Sequence, residues 1–176
     1  NPAATAFLWD IYLFGADSAD ASAQVNLSGL TADNDFSSPD GLWFARGQNV
    51  SGQVRPLLWL QTDDGAFLDE TNCMMLAAIP GKVGDGGPVT VNNVIESTAG
   101  TVVTVAGKAP TADNLKRFLV GPKGAEITGI DMTPDRKALF VNIQHPGESG
   151  GFSNYSQAVS FTEQSSFNAL ESTPGG

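Results

Sequence analysis

Side chains able to bind a cation or carry a proton gather around one stretch, residues 126–145. Glu126 stands just ahead of a short alternating run, 127–132, and Asn142, Gln144 and His145 close an apolar, β-branched run, 138–143. Thr133-Pro-Asp-Arg-Lys137 between the runs reads as a tight turn, with Pro134 presetting φ and Asp135 able to bond the backbone beyond it. Two strands joined this way bring Glu126, Asn142 and His145 to the same end of the hairpin, where a site at the mouth of a sheet needs its polar groups. A carboxylate there suits a hard cation such as calcium. His145 is the one histidine and offers an imidazole for ligation or acid catalysis, although a histidine before Pro-Gly more commonly bonds the loop backbone. Asp40 in Pro39-Asp-Gly41, and Asp63 and Asp64 before Gly65, occupy turn sequences in which Asp ordinarily caps its own backbone.

Charge narrows the partners. Nineteen Asp plus Glu against nine Lys plus Arg give a net charge of -10, and the pI is near 4.2. Nucleic acid is disfavoured, because no basic patch faces a phosphate backbone. The acidic surplus reads either as solubility or as carboxylates converging on cations. Arg117 and Lys123 are single cations able to attract a phosphate. The lone cysteine, Cys73, excludes a disulfide framework and a Cys-rich zinc site, and reads as a small buried hydrophobe beside core-filling Met74 and Met75. No window has the length of apolar sequence a membrane span requires, and none reads as a signal peptide. The chain opens on Asn1 rather than Met, which predicts a processed chain or part of a longer one.

Those residues must be positioned by strands. A length of 176 residues and 41% hydrophobic content allow one domain with a sizeable core. Twenty Gly and ten Pro predict many short strands joined by turns. Residues 7–14 read as a buried strand, 15–35 as a loop, 36–45 as a turn and strand, 56–62 as its return, 72–79 as a third strand and 115–120 as a fourth. Residues 81–113 carry two Val/Thr runs and read as an inserted hairpin. Residues 149–176 read as a loop or tail, with 158–161 their one strand candidate.

The sequence repeats itself. Asp40-Gly-Leu-Trp-Phe44 and Leu58-Trp-Leu-Gln-Thr62 are echoed by Thr128-Gly-Ile-Asp-Met132 and Leu139-Phe-Val-Asn-Ile143. Four-stranded units recurring at roughly 40 to 50 residues predict a β-propeller rather than a β-sandwich. At that period the chain makes about three blades, fewer than a closed ring needs, so the rest must come from the same polypeptide or a partner chain.

Phe36-Ser-Ser-Pro-Asp-Gly-Leu-Trp-Phe44, Leu58-Trp-Leu-Gln-Thr-Asp63, Leu115-Lys-Arg-Phe-Leu-Val-Gly-Pro122, Glu126-Ile-Thr-Gly-Ile130 and Phe140-Val-Asn-Ile-Gln-His-Pro-Gly-Glu148 closely resemble the C-terminal part of PhoX-type alkaline phosphatases, and Phe7-Leu-Trp-Asp-Ile-Tyr-Leu-Phe14 also fits. The resemblance spans residues 7–148, interrupted at 81–113. It implies a six-bladed β-propeller that hydrolyses phosphate monoesters at a central calcium and iron site, in a protein exported to the periplasm or beyond. It also implies that Asp40 and Glu126 fall where the family places acidic metal ligands. Asn142, Asp63 and His145 are further candidates for lining the site. The family's iron-binding cysteine lies in its N-terminal half, so Cys73 does not match it. The strand that follows the His-Pro-Gly loop in the family is also missing. By this reading the chain, 1–176, is one incomplete propeller segment, inactive without its N-terminal part. Two other readings stand beside it: a non-catalytic propeller of the same family, used as a binding or structural module, and a sugar- or lactone-directed propeller enzyme.

Overall fold

The computed structural model describes residues 3–48, 54–63, 72–95, 97–122 and 125–144. These residues form eight strands and no helix: β1 (Pro39–Gln48), β2 (Val54–Thr62), β3 (Met74–Ala78), β4 (Gly87–Ile95), β5 (Thr98–Ala106), β6 (Leu115–Val120), β7 (Glu126–Met132) and β8 (Leu139–Gln144). One sheet has four strands in the order β1-β2-β3-β6, while β4–β5 and β7–β8 are two-stranded. Every strand pairing is antiparallel. The protein is all-β, as the turn-rich composition predicts.

The four-stranded sheet is covered on both faces, which explains the nearly unbroken apolar run of β3. Successive residues of β2 and β3 point to opposite sides. Leu58, Leu60, Met74, Leu76 and Ala78 join Leu115 and Val120 in one cluster, closed by Ala16, Leu30 and Phe36 of the N-terminal segment. Trp59, Cys73 and Met75 face the other way and pack with Ile127 of β7, with Ile130, Leu139, Val141 and Ile143 around them. Cys73, Met74 and Met75 are all buried.

The N-terminal segment is clasped to the sheet by a charge. The Arg117 guanidinium donates to Asp35 Oδ1 at 2.7 Å and to the Asp35 and Ala32 carbonyl oxygens at 3.1 and 3.2 Å. Ser18 adds its hydroxyl to the other Asp35 oxygen at 2.7 Å. Arg117 is therefore committed to structure rather than to phosphate.

Residues 7–14 do not form the expected buried strand. Phe7, Leu8 and Trp9 are exposed, and a single parallel bridge joins Ile11 to Ala106 at the end of β5. Beyond the two backbone bonds of Ile11 at that bridge, polar groups of this segment pair with loops: Ser28 Oγ accepts the Phe14 N–H at 2.7 Å, and Asp10 accepts the Gly84 N–H at 2.5 Å. Only Tyr12 and Leu13 reach the first core cluster.

Both halves of the sequence echo are antiparallel hairpins, and each carries a β-bulge near its start, between Pro39 and Gly41 in β1 and between Thr128 and Ile130 in β7. β7–β8 thus repeats the first two strands of the larger sheet and lies over one of its faces. In the β7–β8 turn, Thr133 Oγ1 bonds the Asp135 carboxylate at 2.6 Å, and Arg136 takes a positive φ of 59°. The Thr133 hydroxyl, then the Lys137 N–H, hold the Asp135 carboxyl below the usual carboxylate range. One four-stranded antiparallel sheet followed by the opening hairpin of a second unit is consistent with a partial β-propeller. Among the described residues no ring closes. β4–β5 lies between β3 and β6 in the chain, yet β3 and β6 pair directly with each other.

Candidate functional site

Antiparallel order decides which residues share an end of the structure. β1 and β3 begin where β2 and β6 finish, and β7 begins where β8 finishes. Asp40, Asp63 and Asn72 therefore stand at one end of the four-stranded sheet, and Glu126 and Asn142 at the matching end of the hairpin's own ladder. All these groups carry oxygen donors.

Asp40 has no cross-strand partner: Pro39 pairs with Thr62 and Gly41 with Gln61, so Asp40 is the extra residue of the bulge. Bulges re-aim side chains and recur beside active sites. Asp40 and Asp63 are exposed. Ser38, at a φ of 47°, turns the chain into β1, and its carbonyl accepts the Asp63 N–H at 3.2 Å. Glu126 is inside β7 rather than ahead of it, opposite Gln144, and is buried at 8% exposure. Asn142 is exposed. His145 and Lys123 lie outside the described residues.

Sequence reasoning passed over two further residues. Asn72 is buried at 1% exposure; its Nδ2 donates to the Gly121 carbonyl at 3.1 Å, while its Oδ1 is buried without a hydrogen-bond partner. Gln61 is equally enclosed, and its Nε2 donates to the Gly129 carbonyl of β7 at 2.9 Å. Both are amides beside or within apolar runs, and a buried amide needs partners. An orphaned acceptor oxygen and carboxylates at strand ends suit a hard cation such as calcium or ferric iron. Among the described residues no three Asp, Glu, His or Cys side chains converge on one point.

The cavity lies elsewhere. A space of about 520 Å³ opens against the first core cluster, lined by Leu42, Phe44, Leu58, Leu60 and Tyr12 and also by Asp85, Lys82 and Lys108. The Tyr12 hydroxyl is buried with no hydrogen-bond partner, and burial, then the Asp85 charge, push its pKa up to about 12. Tyr12→Phe removes an unsatisfied polar atom and is expected to raise stability by about 1 kcal/mol, read from thermal or urea unfolding. A folded pKa above the unfolded value of 10 means the wild type holds its full Tyr12 contribution below pH 10 and loses it as pH climbs towards 12. The Tyr12→Phe variant lacks that alkaline loss. A destabilised variant would show that the hydroxyl has a partner.

The model of the alkaline phosphatase PhoX family matches residues 1–147. The chain belongs to the PhoX alkaline phosphatase family. The match takes in both copies of the hairpin echo, the bulge at Asp40 and the start of β7 at Glu126. No curated protein and no solved structure matches the chain. PhoX proteins are metal-dependent phosphatases, and carboxylates and amides of the kind found at the strand ends of this PhoX chain are oxygen donors such a centre can use. Among its described residues no helix is long and apolar enough to cross a membrane.

Proposed function

We propose that this chain supplies part of the active site of a PhoX-type phosphomonoesterase, with Asp40 and Glu126 as metal ligands. The family match over residues 1–147 carries this reading. It is supported by the strand order, which puts both carboxylates at strand starts, one of them on a bulge. Calcium and iron, when bound, neutralise the charge of a phosphate ester and lower the pKa of an attacking oxygen. Glu126, buried in β7, brings a largely desolvated side chain on a backbone held by the strand ladder. Asp40, exposed on its bulge, is open to a cation shared with other parts of the propeller. Asn142 and Asp63 line the approach, and His145 is the neighbour of Gln144 in the sequence. The remaining ligands come from the N-terminal part of the propeller, in the periplasm or outside the cell.

The full-length protein is expected to hydrolyse p-nitrophenyl phosphate in the presence of calcium, and chelation is expected to abolish the activity. Metal analysis of the same preparation should return calcium and iron. A metal-replete full-length protein without turnover would sink this reading. It would favour a second one, a non-catalytic module, for which the exposed valines of β5, Val102, Val103 and Val105, provide contact surface.

A further inference from the structure

Each hairpin of the echo places a glycine against an amide. A Cβ at Gly41 would lie 2.7 Å from Gln61 Oε1, and a Cβ at Gly129 would lie 2.7 Å from Asn142 Nδ2. Gly129 also needs its own backbone freedom, at a φ of +53°. The two contacts are joined into one chain by the hydrogen bond from Gln61 Nε2 to the Gly129 carbonyl. The order across the strands is thus Gly41 on β1, Gln61 on β2, Gly129 on β7 and Asn142 on β8.

The position of this chain matters because of what flanks it. Gly41 directly follows Asp40, and Gly129 lies three residues beyond Glu126 on the same strand. Gln61 is register partner to Gly41 and hydrogen-bonds Gly129, so one side chain touches the backbones of the strands that carry both acidic residues. Besides that bond, Gln61 Nε2 has only a long contact to Met75 Sδ, at 3.9 Å. The surrounding packing of Trp59, Met75 and Ile127 is apolar and carries no directional preference of its own. A hydrogen bond inside it sets register and separation.

We infer that Gln61 is a positioning residue for the metal centre: by donating to Gly129 it fixes β7 against β1 and so sets the spacing of Glu126 and Asp40. This rests on the reading of those two carboxylates as ligands. Groups that orient metal ligands without touching the metal typically cost 10- to 100-fold in metal affinity when removed.

Gln61→Met keeps the length and volume of the side chain and removes the donor. Gln61→Glu keeps the shape and replaces the amide donor by a carboxyl, which has no donor for the Gly129 carbonyl when ionised. Leu76→Val, on the opposite face of the same sheet, serves as a comparison of similar destabilisation. In the full-length protein, calcium titration by calorimetry is expected to show Kd weakened about 10- to 100-fold by both Gln61 variants. Leu76→Val should lower the unfolding midpoint while leaving Kd within about twofold of wild type. Under saturating calcium, the Gln61 variants should regain most of kcat. Equal calcium affinity in wild type and the folded Gln61 variants overturns the positioning role while leaving the ligands in place. A weakening by Leu76→Val equal to that of Gln61→Met also overturns it, since general loosening would then suffice. A wild type that binds no calcium removes the ligand reading, and the positioning role with it.

Discussion

Glu126→Gln in the full-length protein is expected to lower kcat/KM for a phosphate monoester by about 10²- to 10³-fold, the scale of losing one group that supports transition-state stabilisation. The substitution is a clean probe because it changes charge and little else. Glu126 is buried inside β7, opposite Gln144, and an amide of the same shape preserves the strand pairing. On the proposed role of Glu126, what is lost is an anionic oxygen ligand for a hard cation, so calcium affinity should fall alongside kcat. A structural role alone would move the unfolding midpoint and spare calcium binding. Activity and calcium affinity within about threefold of wild type would take Glu126 out of the site.

The second large effect is one of stability. Arg117→Met is expected to destabilise the fold by about 3 kcal/mol, in the range for breaking one side of a buried ion pair. Asp35 is only 8% exposed at its side chain, and without Arg117 it keeps only the Ser18 contacts. The Ala32 and Asp35 carbonyls lose their donors at the same time. The strain falls on the link between the N-terminal segment and β6, because Phe36, next to Asp35, is completely enclosed in the first core cluster. The double variant Arg117→Met with Asp35→Leu should recover most of the loss, as apolar replacements of buried pairs often do. Urea unfolding of the four proteins completes the cycle. A single variant within about 0.5 kcal/mol of wild type, the usual surface range, would show that the clasp contributes little.

Strand positions were readable wherever one residue type dominated a short run. β6 falls on the predicted residues 115–120, and β3, β7 and β8 lie within a residue or two of their expected spans. The hairpin echo was readable because both copies share the same contact, a glycine packed under an amide. Residues 7–14 misled for a physical reason: apolarity reports a preference for burial but not the partner that provides it, and here Phe7, Leu8 and Trp9 remain exposed. Arg117 was open to misreading because an isolated cation in a strand says nothing of a carboxylate 82 residues away. Gln61 and Asn72 were missed because buried amides resemble surface ones until their hydrogen bonds are seen. The ligand roles proposed for Asp40 and Glu126 rest on family resemblance, since the residues themselves fit turns and strand ends equally well.

The hairpin of β4 and β5 bears on how the sheet assembles. β3 and β6 are neighbours in space but distant along the chain, and closing so long a loop costs conformational entropy before any contact rewards it. β4 and β5 pair with each other along their whole length, from Gly87 with Ala106 to Ile95 with Thr98. Such hairpins form on the microsecond scale. Once that pair has closed, the free chain between β3 and β6 is more than halved, which reduces the closure cost by about 0.6 kcal/mol or slightly more. The last bond of the resulting bridge is already present, from the Ile79 N–H to the Asn114 carbonyl at 2.8 Å. A segment that adds no strand to the main sheet therefore shortens the search by which its third and fourth strands meet.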